Sequence, residues 1–211
     1  YMINFILIII ILGFLYYNKN HQERFTSNKN KIFDNIYVIN LKKDKERMYI
    51  MDKYLKKLNL NYHRIDAVYG KDVYNNYNTQ LSPGALGCLL SHKKAIQHAK
   101  KNKYKNFVIL EDDIIFAKNF MSKLYEKYKY LLIHEKKIDL LYFGCSQTTN
   151  SKIIWDEIKI NKHYYKPKKS NGTFAMLVNS TIYDDLLKYI NRYEDPYDII
   201  LRKHIVPNKR C

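Results

Sequence analysis

The chain has 211 residues, 46% of them hydrophobic and 15% aromatic, and carries 37 Lys and Arg against 20 Asp and Glu for a formal charge of +17. That length holds one large domain around a shared core, and the apolar content excludes global disorder. The charge favours anionic partners such as nucleotides or lipid head groups, but the lysines are spread along the chain, and without zinc-finger spacing or a glycine-aromatic RNA signature no nucleic-acid partner is expected.

Residues 2–17 read MINFILIIIILGFLYY, with no charge and Asn4 as the one strongly polar side chain. The run is somewhat short of the roughly 20 residues that span a bilayer, but Tyr16 and Tyr17 suit an interface. A cleaved signal needs a basic start and a small-residue cleavage site, and neither is present. Residues 1–17 are therefore read as a single-pass anchor that brings the chain to a membrane. Lys19, Arg24, Lys29 and Lys31 follow the run, which by the positive-inside rule alone keeps the rest of the chain cytosolic, while a Golgi-type enzyme needs the opposite orientation, so the side of the membrane stays open. Residues 18–34 are polar and aperiodic, a stem or linker, and the domain is expected over 35–211.

Ile36–Leu41 (IYVINL) is β-branched and aromatic, the signature of a buried strand. Lys43–Leu58 follows with apolar side chains every three or four residues and predicts a helix. Tyr62–Val68 is a short strand candidate, and residues 71–80 are polar and turn-rich. Ser82 and Pro83 fit the N-cap and first position of a helix running to about Lys101. Phe107–Leu110 predicts another buried strand and 117–134 a helix. Ile138–Phe143 predicts a strand stopped by Gly144 and Cys145. Residues 153–168 suit a hairpin, Phe174–Val178 a strand and Thr181–Ile190 a helix. Strands alternating with helices give an α/β fold, a central mostly parallel sheet covered on both faces. Cys88, Cys145 and Cys211 are odd in number and far apart, which disfavours a disulfide framework and a cysteine-rich zinc site.

The segment NFVILEDDIIF places Glu111, Asp112 and Asp113 where the third strand ends. In open α/β sheets ligands bind beyond the carboxyl ends of strands. If the extended backbone continues, Glu111 and Asp113 project to one side and Asp112 to the other. Two same-side carboxylates can share Mg²⁺ or Mn²⁺, which prefer oxygen ligands. The competing reading is a solvated strand end whose acids cap the next helix.

Four blocks in order carry a family resemblance: Ile36–Leu41 with Lys43–Arg47 (IYVINL, KDKER), Arg64–Gly70 (RIDAVYG), Leu81–His92 (LSPGALGCLLSH) and Val108–Asp113 (VILEDD). Together they resemble glycosyltransferase family 25, which includes lipooligosaccharide β-galactosyltransferases and procollagen galactosyltransferases. The likeness spans roughly residues 35–200. It implies a GT-A-like fold, a UDP-sugar donor, Mn²⁺ (or Mg²⁺) and inverting transfer of galactose or glucose to a glycan or glycoprotein acceptor. Asp113, then Glu111 or Asp112, is implied as the metal ligand. Asn40 and Leu41 are implied to line the nucleotide pocket. Arg47 is implied to reach a phosphate or brace that loop. Asp66 is expected to meet uridine or ribose, or to cap a turn through Gly70. His92, beside Ser91, is expected to contact donor or acceptor, with a helix–sheet hydrogen bond as the alternative. Gly84 and Gly87 are expected to let their helix approach another backbone or the ligand. Asp198, with Asp195 as the alternative, is expected to be the base, while a helix cap near Pro196 is the plainer role for either. The chain ends soon after this region, where family members usually continue. The competing functions are an inactive relative that binds glycans or proteins, and a nucleotide hydrolase or nucleotidyltransferase.

Overall fold

The computed structural model describes residues 33–134, 138–149, 152–153, 159–160, 162–167, 170–209 and 211. The expected anchor and most of the stem lie outside the described residues. Among the described residues no helix is long and apolar enough to cross a membrane. Asn35–Cys211 forms one compact unit, and Tyr1–Asp34 is grouped separately.

Among the described residues the unit has six strands: β1 (Asn35–Asn40), β2 (His63–Asp66), β3 (Asn106–Glu111), β4 (Leu140–Thr149), β5 (Lys152–Ile153) and β6 (Ser170–Asn179). The helices are α1 (Lys45–Lys57), α2 (Gly70–Val73), α3 (Pro83–Lys101), α4 (Phe120–His134), α5 (Tyr183–Ile190) and α6 (Tyr197–Ile200). The strand order is β2-β1-β3-β6-β4-β5. β1 pairs in parallel with β2 and β3, and β6 inserts antiparallel between β3 and β4. β1 to β4 thus point one way, with β5 and β6 opposed. The expected α/β sheet is observed, parallel in its first half and antiparallel in its second.

Both faces are buried, which is why β1 and β3 read as continuous apolar runs. Tyr37, Ile39, Phe107, Ile109, Met176 and Val178 share one core cluster with Leu86, Leu89 and Ile96 of α3 and Leu186 and Ile190 of α5. The alternate side chains Ile36, Val38, Val108, Leu110 and Leu177 are buried on the other face. α1 buries Met51 and Leu55, and α4 buries Met121, Tyr128 and Leu131. Each fully buried aliphatic side chain contributes about 2 kcal/mol of transfer free energy.

α3 begins as its sequence predicts. Ser82 is extended, its hydroxyl accepts from the Ala85 amide at 3.2 Å, and Pro83 takes the first turn. β4 departs from expectation, because it continues through Gly144 and Cys145 with register shifts at Tyr142/Gly144 and Gly144/Ser146. The glycine here makes room for a ring. A Cβ on Gly144 would stand 2.7 Å from the Phe174 ring, and one on Gly172, at φ +87°, would stand 2.5 Å from it. The polar stretch 71–80 holds a helical turn, α2, and a 3₁₀ turn over Tyr74–Asn76. Of the hairpin expected over 153–168, much lies outside the described residues. What is described is β5 against β4 and a bridge between Lys159 and Tyr165.

The parallel strands β1, β2 and β3 end together. Asn40 lies beside Asp66, and Ile39 beside Glu111. The chemistry gathers at this edge.

Candidate active site

A cavity of about 300 Å³ opens at the carboxyl edge of the parallel strands. It gathers Asn40 and Leu41 from the end of β1, Arg47 from α1, Gly70 from α2, Ser91 and His92 from α3, and Glu111, Asp112 and Asp113 from the end of β3. A second cavity of about 410 Å³ lies against α4 and β4, and among the described residues it is lined by no Asp or Glu. The charged cleft, not the larger apolar cavity, matches the expected chemistry.

Asn40 is the bracket of the site. It is 2% exposed. Its Nδ2 donates to the Asp44 carbonyl at 2.9 Å and to Asp112 Oδ2 at 2.5 Å, while its Oδ1 accepts from Arg64 Nε at 2.9 Å. It fixes the loop after β1 and one of the acids together. Arg47 then bridges the acid pair, with Nη1 at 3.4 Å from both Asp112 Oδ1 and Asp113 Oδ2. Arg47 and Asp113 are each about half exposed. The guanidinium thus ties α1 to the turn that carries both acids, and not to the loop after β1.

The strict alternation expected of the three acids fails for a local reason. β3 ends at Glu111, and Asp112 and Asp113 occupy a turn. That turn brings Asp112 and Asp113 to the same guanidinium. Glu111 faces elsewhere. Thr173 Oγ1 donates to its Oε1 at 2.8 Å, and His92 Nε2 lies 4.0 Å from the same oxygen. Burial raises the Glu111 pKa above the usual carboxylate range, Thr173 opposes this, and Asp113, Asp112 and Asp198 add to it.

His92 is 1% exposed and packs against Tyr197 with ring centroids 4.2 Å apart. Its Nδ1 lies 3.0 Å from the Cys88 carbonyl oxygen, and Nε2 has no hydrogen-bond partner among the described residues. Burial lowers its pKa to about 4, so the ring is neutral at pH 7. Of its two sequence readings, the imidazole makes its hydrogen bond within its own helix and turns its other nitrogen toward the acid end of β3. Ser91 is spent structurally, accepting from the Val68 amide at 2.9 Å and donating to the Gly87 carbonyl at 2.6 Å.

Gly70 and Gly87 let two backbones meet. A Cβ on Gly70 would lie 1.6 Å from the Pro83 carbonyl oxygen, and one on Gly87 would lie 2.6 Å from that of Val68. Gly84 makes no such approach, since a Cβ there would meet nothing within 4 Å, but it lines the cavity.

Three expected residues do not line the cavity. The Asp66 carboxylate is mostly exposed and pairs with Arg64 at 2.7 Å. Asp195 is held by Lys203 at 2.8 and 3.0 Å. Asp198 Oδ1 accepts from the Ile199 amide at 2.9 Å at the start of α6, yet its charge is felt at Glu111 and Cys88. Cys88, Thr173 and Tyr69 were not singled out from sequence. Cys88 and Tyr69 line the cleft, and Thr173 holds Glu111. The one-turn spacing of Cys88 and His92 was the available signal for Cys88. Thr173 comes from a strand 62 residues away, and no local pattern marks it.

The family model described as glycosyltransferase family 25 (LPS biosynthesis protein) matches residues 33–201. Over 129 residues, 53% of this chain and 21% of the relative, the sequence is 29% identical to procollagen galactosyltransferase 1-B of Xenopus laevis. Over 134 residues, 54% of this chain and 22% of the relative, it is 27% identical to a Mus musculus protein named inactive glycosyltransferase 25 family member 3. Over 123 residues, 55% of this chain and 13% of the relative, it is 28% identical to procollagen lysyl hydroxylase and glycosyltransferase of Acanthamoeba polyphaga mimivirus. The chain therefore spans about a fifth or less of the length of these relatives. With the model covering most of its length, the chain belongs to glycosyltransferase family 25.

Proposed function

We propose that the domain transfers a hexose, galactose or glucose, from a UDP-sugar to a hydroxyl of a glycan or protein acceptor, with inversion. One observation carries this reading: the start of α3, Arg47 and the acid pair Asp112–Asp113 surround a single cavity at the ends of parallel strands. A helix start favours phosphate through its free amides and dipole. Arg47 and Lys71 add positive charge to the same wall. Tyr69, also in the wall, offers a ring for the base, with Lys43 Nζ 3.9 Å from its centroid.

The acid pair fits a cation, because one already bridges it: the guanidinium of Arg47. Asp113 with Asp112 would hold Mn²⁺ or Mg²⁺ together with diphosphate oxygens, a ligand set these ions accept, and the ion would offset charge on the leaving UDP. Asp113 is the leading ligand because it is the more exposed of the two. Glu111, directed toward His92 and Thr173, is the weaker choice. Arg47, held by long contacts and half exposed, is free to turn to a phosphate.

In the transfer, the acceptor oxygen bonds to the anomeric carbon as the bond to the diphosphate oxygen breaks, its electron pair leaving with UDP. The acceptor proton passes to a carboxylate. Asp198 is proposed for that task over Asp195, whose carboxylate is committed to Lys203. Residues 2–17 are proposed to tether the domain to a membrane.

A second reading, a binding domain without turnover, is favoured by the relative named inactive. One experiment separates the two. The full chain is incubated with UDP-galactose or UDP-glucose, Mn²⁺ and candidate acceptors, and UDP and product are read by mass. Metal-dependent UDP release with a glycosylated product is expected, and Asp113→Ala lowers it at least about a hundredfold. Sugar binding without UDP release supports the inactive reading. Full activity in Asp113→Ala removes the metal assignment.

A further inference from the structure

Cys88 and His92 stand one turn apart on α3, and Glu111 ends β3 opposite them. A thiol sulfur, an imidazole nitrogen and a carboxylate oxygen from these residues all lie within 4.8 Å of one another. His92 Nε2 is buried, makes no hydrogen bond of good geometry among the described residues although the Thr173 backbone is near, and lies 4.0 Å from Glu111 Oε1. A buried polar atom with no partner is costly and calls for a ligand. The surroundings are those of a metal-binding histidine. Such a ring donates its other N–H to a carbonyl or carboxylate, which fixes the ring and leaves one lone pair for the metal. Here Nδ1 meets the Cys88 carbonyl at 3.0 Å, and Tyr197 clamps the ring face. Thr173 orients the Glu111 carboxylate in the same manner.

We infer that Cys88, His92 and Glu111 form a three-ligand site for a borderline-soft divalent cation of the Zn²⁺ class, separate from the acid pair Asp112–Asp113. Sulfur and imidazole donors suit Zn²⁺ and disfavour Mn²⁺ and Mg²⁺, which prefer oxygen. Three protein ligands with a fourth position open is a common zinc arrangement. All three residues line the cleft, so a bound cation would lie at its wall. Burial holds the Cys88 thiol protonated, with its pKa pushed up to about 12. A bound cation displaces that proton, and the sulfur ligates as thiolate. No cysteine-rich site is involved, since a single thiol joins a nitrogen and an oxygen. Under the proposed transferase reading, the ion sits in the wall of the donor cleft and fixes Glu111 there.

The test reads binding without turnover, so its outcome is independent of the transferase reading. The full chain, stripped with a chelator, is titrated with Zn²⁺ by calorimetry and with Co²⁺ by absorption. One Zn²⁺ per chain is expected, with a thiolate-to-cobalt charge-transfer band in the ultraviolet. Cys88→Ser abolishes the band and weakens Zn²⁺ at least about tenfold, and Glu111→Gln weakens Zn²⁺ while retaining the band. Cys145→Ser and Cys211→Ser leave both readouts unchanged. Cys88 is the chosen probe because His92 is packed under Tyr197 and its replacement disturbs the fold. Absence of stoichiometric Zn²⁺ binding, or a cobalt band that survives in Cys88→Ser, overturns the assignment.

Discussion

At the scale of single residues, Asn40 couples fold to site. Its side chain joins the Asp44 carbonyl, Asp112 and Arg64 while almost fully buried. Asn40→Ala removes all three bonds and leaves a buried carboxylate oxygen and a guanidinium without this partner. Leaving buried polar groups unsatisfied costs about 1–3 kcal/mol each, and charged groups more. The expected loss in a urea titration is about 2 kcal/mol or more. Nucleotide binding is expected to weaken as well, because Asp112 is no longer held. A stability change below about 0.5 kcal/mol would show that Asn40 is not a bracket. Glu111 illustrates a complementary point. Its pKa is raised by burial first and by three neighbouring acids after it, and the Thr173 hydroxyl opposes both. The three acids of one short motif therefore do not share one environment.

At the scale of elements, α3 does most of the positioning. Its start faces the cleft, its middle supplies Ser91 and His92, and its apolar face covers the parallel strands. The glycines of this helix are not equivalent. Gly87→Ala drives a methyl group to 2.6 Å from the Val68 carbonyl oxygen and 2.9 Å from the Gly70 amide nitrogen, so backbone must shift. The expected cost in thermal or chemical denaturation is about 1–3 kcal/mol, as for overpacking. Gly84→Ala places its methyl in open space, where alanine's helix propensity is worth up to about 1 kcal/mol. It is expected to leave stability unchanged or raise it. Equal effects of the two substitutions would show that the close approach at Gly87 is not what makes that glycine necessary.

At the scale of the whole molecule, three elements meet away from the cleft. Tyr37 of β1 lies with its hydroxyl 2.6 Å from His98 Nδ1 on α3, and His98 stacks on His63 of β2 at 4.6 Å. Burial pushes the Tyr37 pKa up to about 12, so the phenol keeps its proton. The His98 pKa is lowered from 6.5, chiefly by burial, with His63 and Lys101 adding. The unfolded chain then binds this proton at a higher pH than the folded one. Stability contributed here is present above about pH 6.5 and is lost as pH falls below it, until folded His98 protonates. The melting temperature is expected to fall between pH 7 and pH 5, with a shallower slope in His98→Gln. An identical slope in that variant would remove His98 from the pH response.

The run of β-branched and aromatic side chains in β1 and β3, the Ser82–Pro83 helix start and the acids at the end of β3 were legible in the sequence. Each depends on local periodicity or capping, and that information lies within a few neighbouring residues. The four ordered blocks likewise carried the family. The tertiary structure alone decided how the acids divide. The turn after Glu111 sends Asp112 and Asp113 to Arg47, while Glu111 turns to Thr173 and His92. It also showed that Asp66 points away from the cavity into an ion pair, and that Gly144 continues β4 instead of ending it. Those outcomes depend on partners that reach these residues from other elements. A carboxylate's role is set by which cation, hydroxyl or imidazole the fold brings to it, and that is a property of packing between elements distant in the chain.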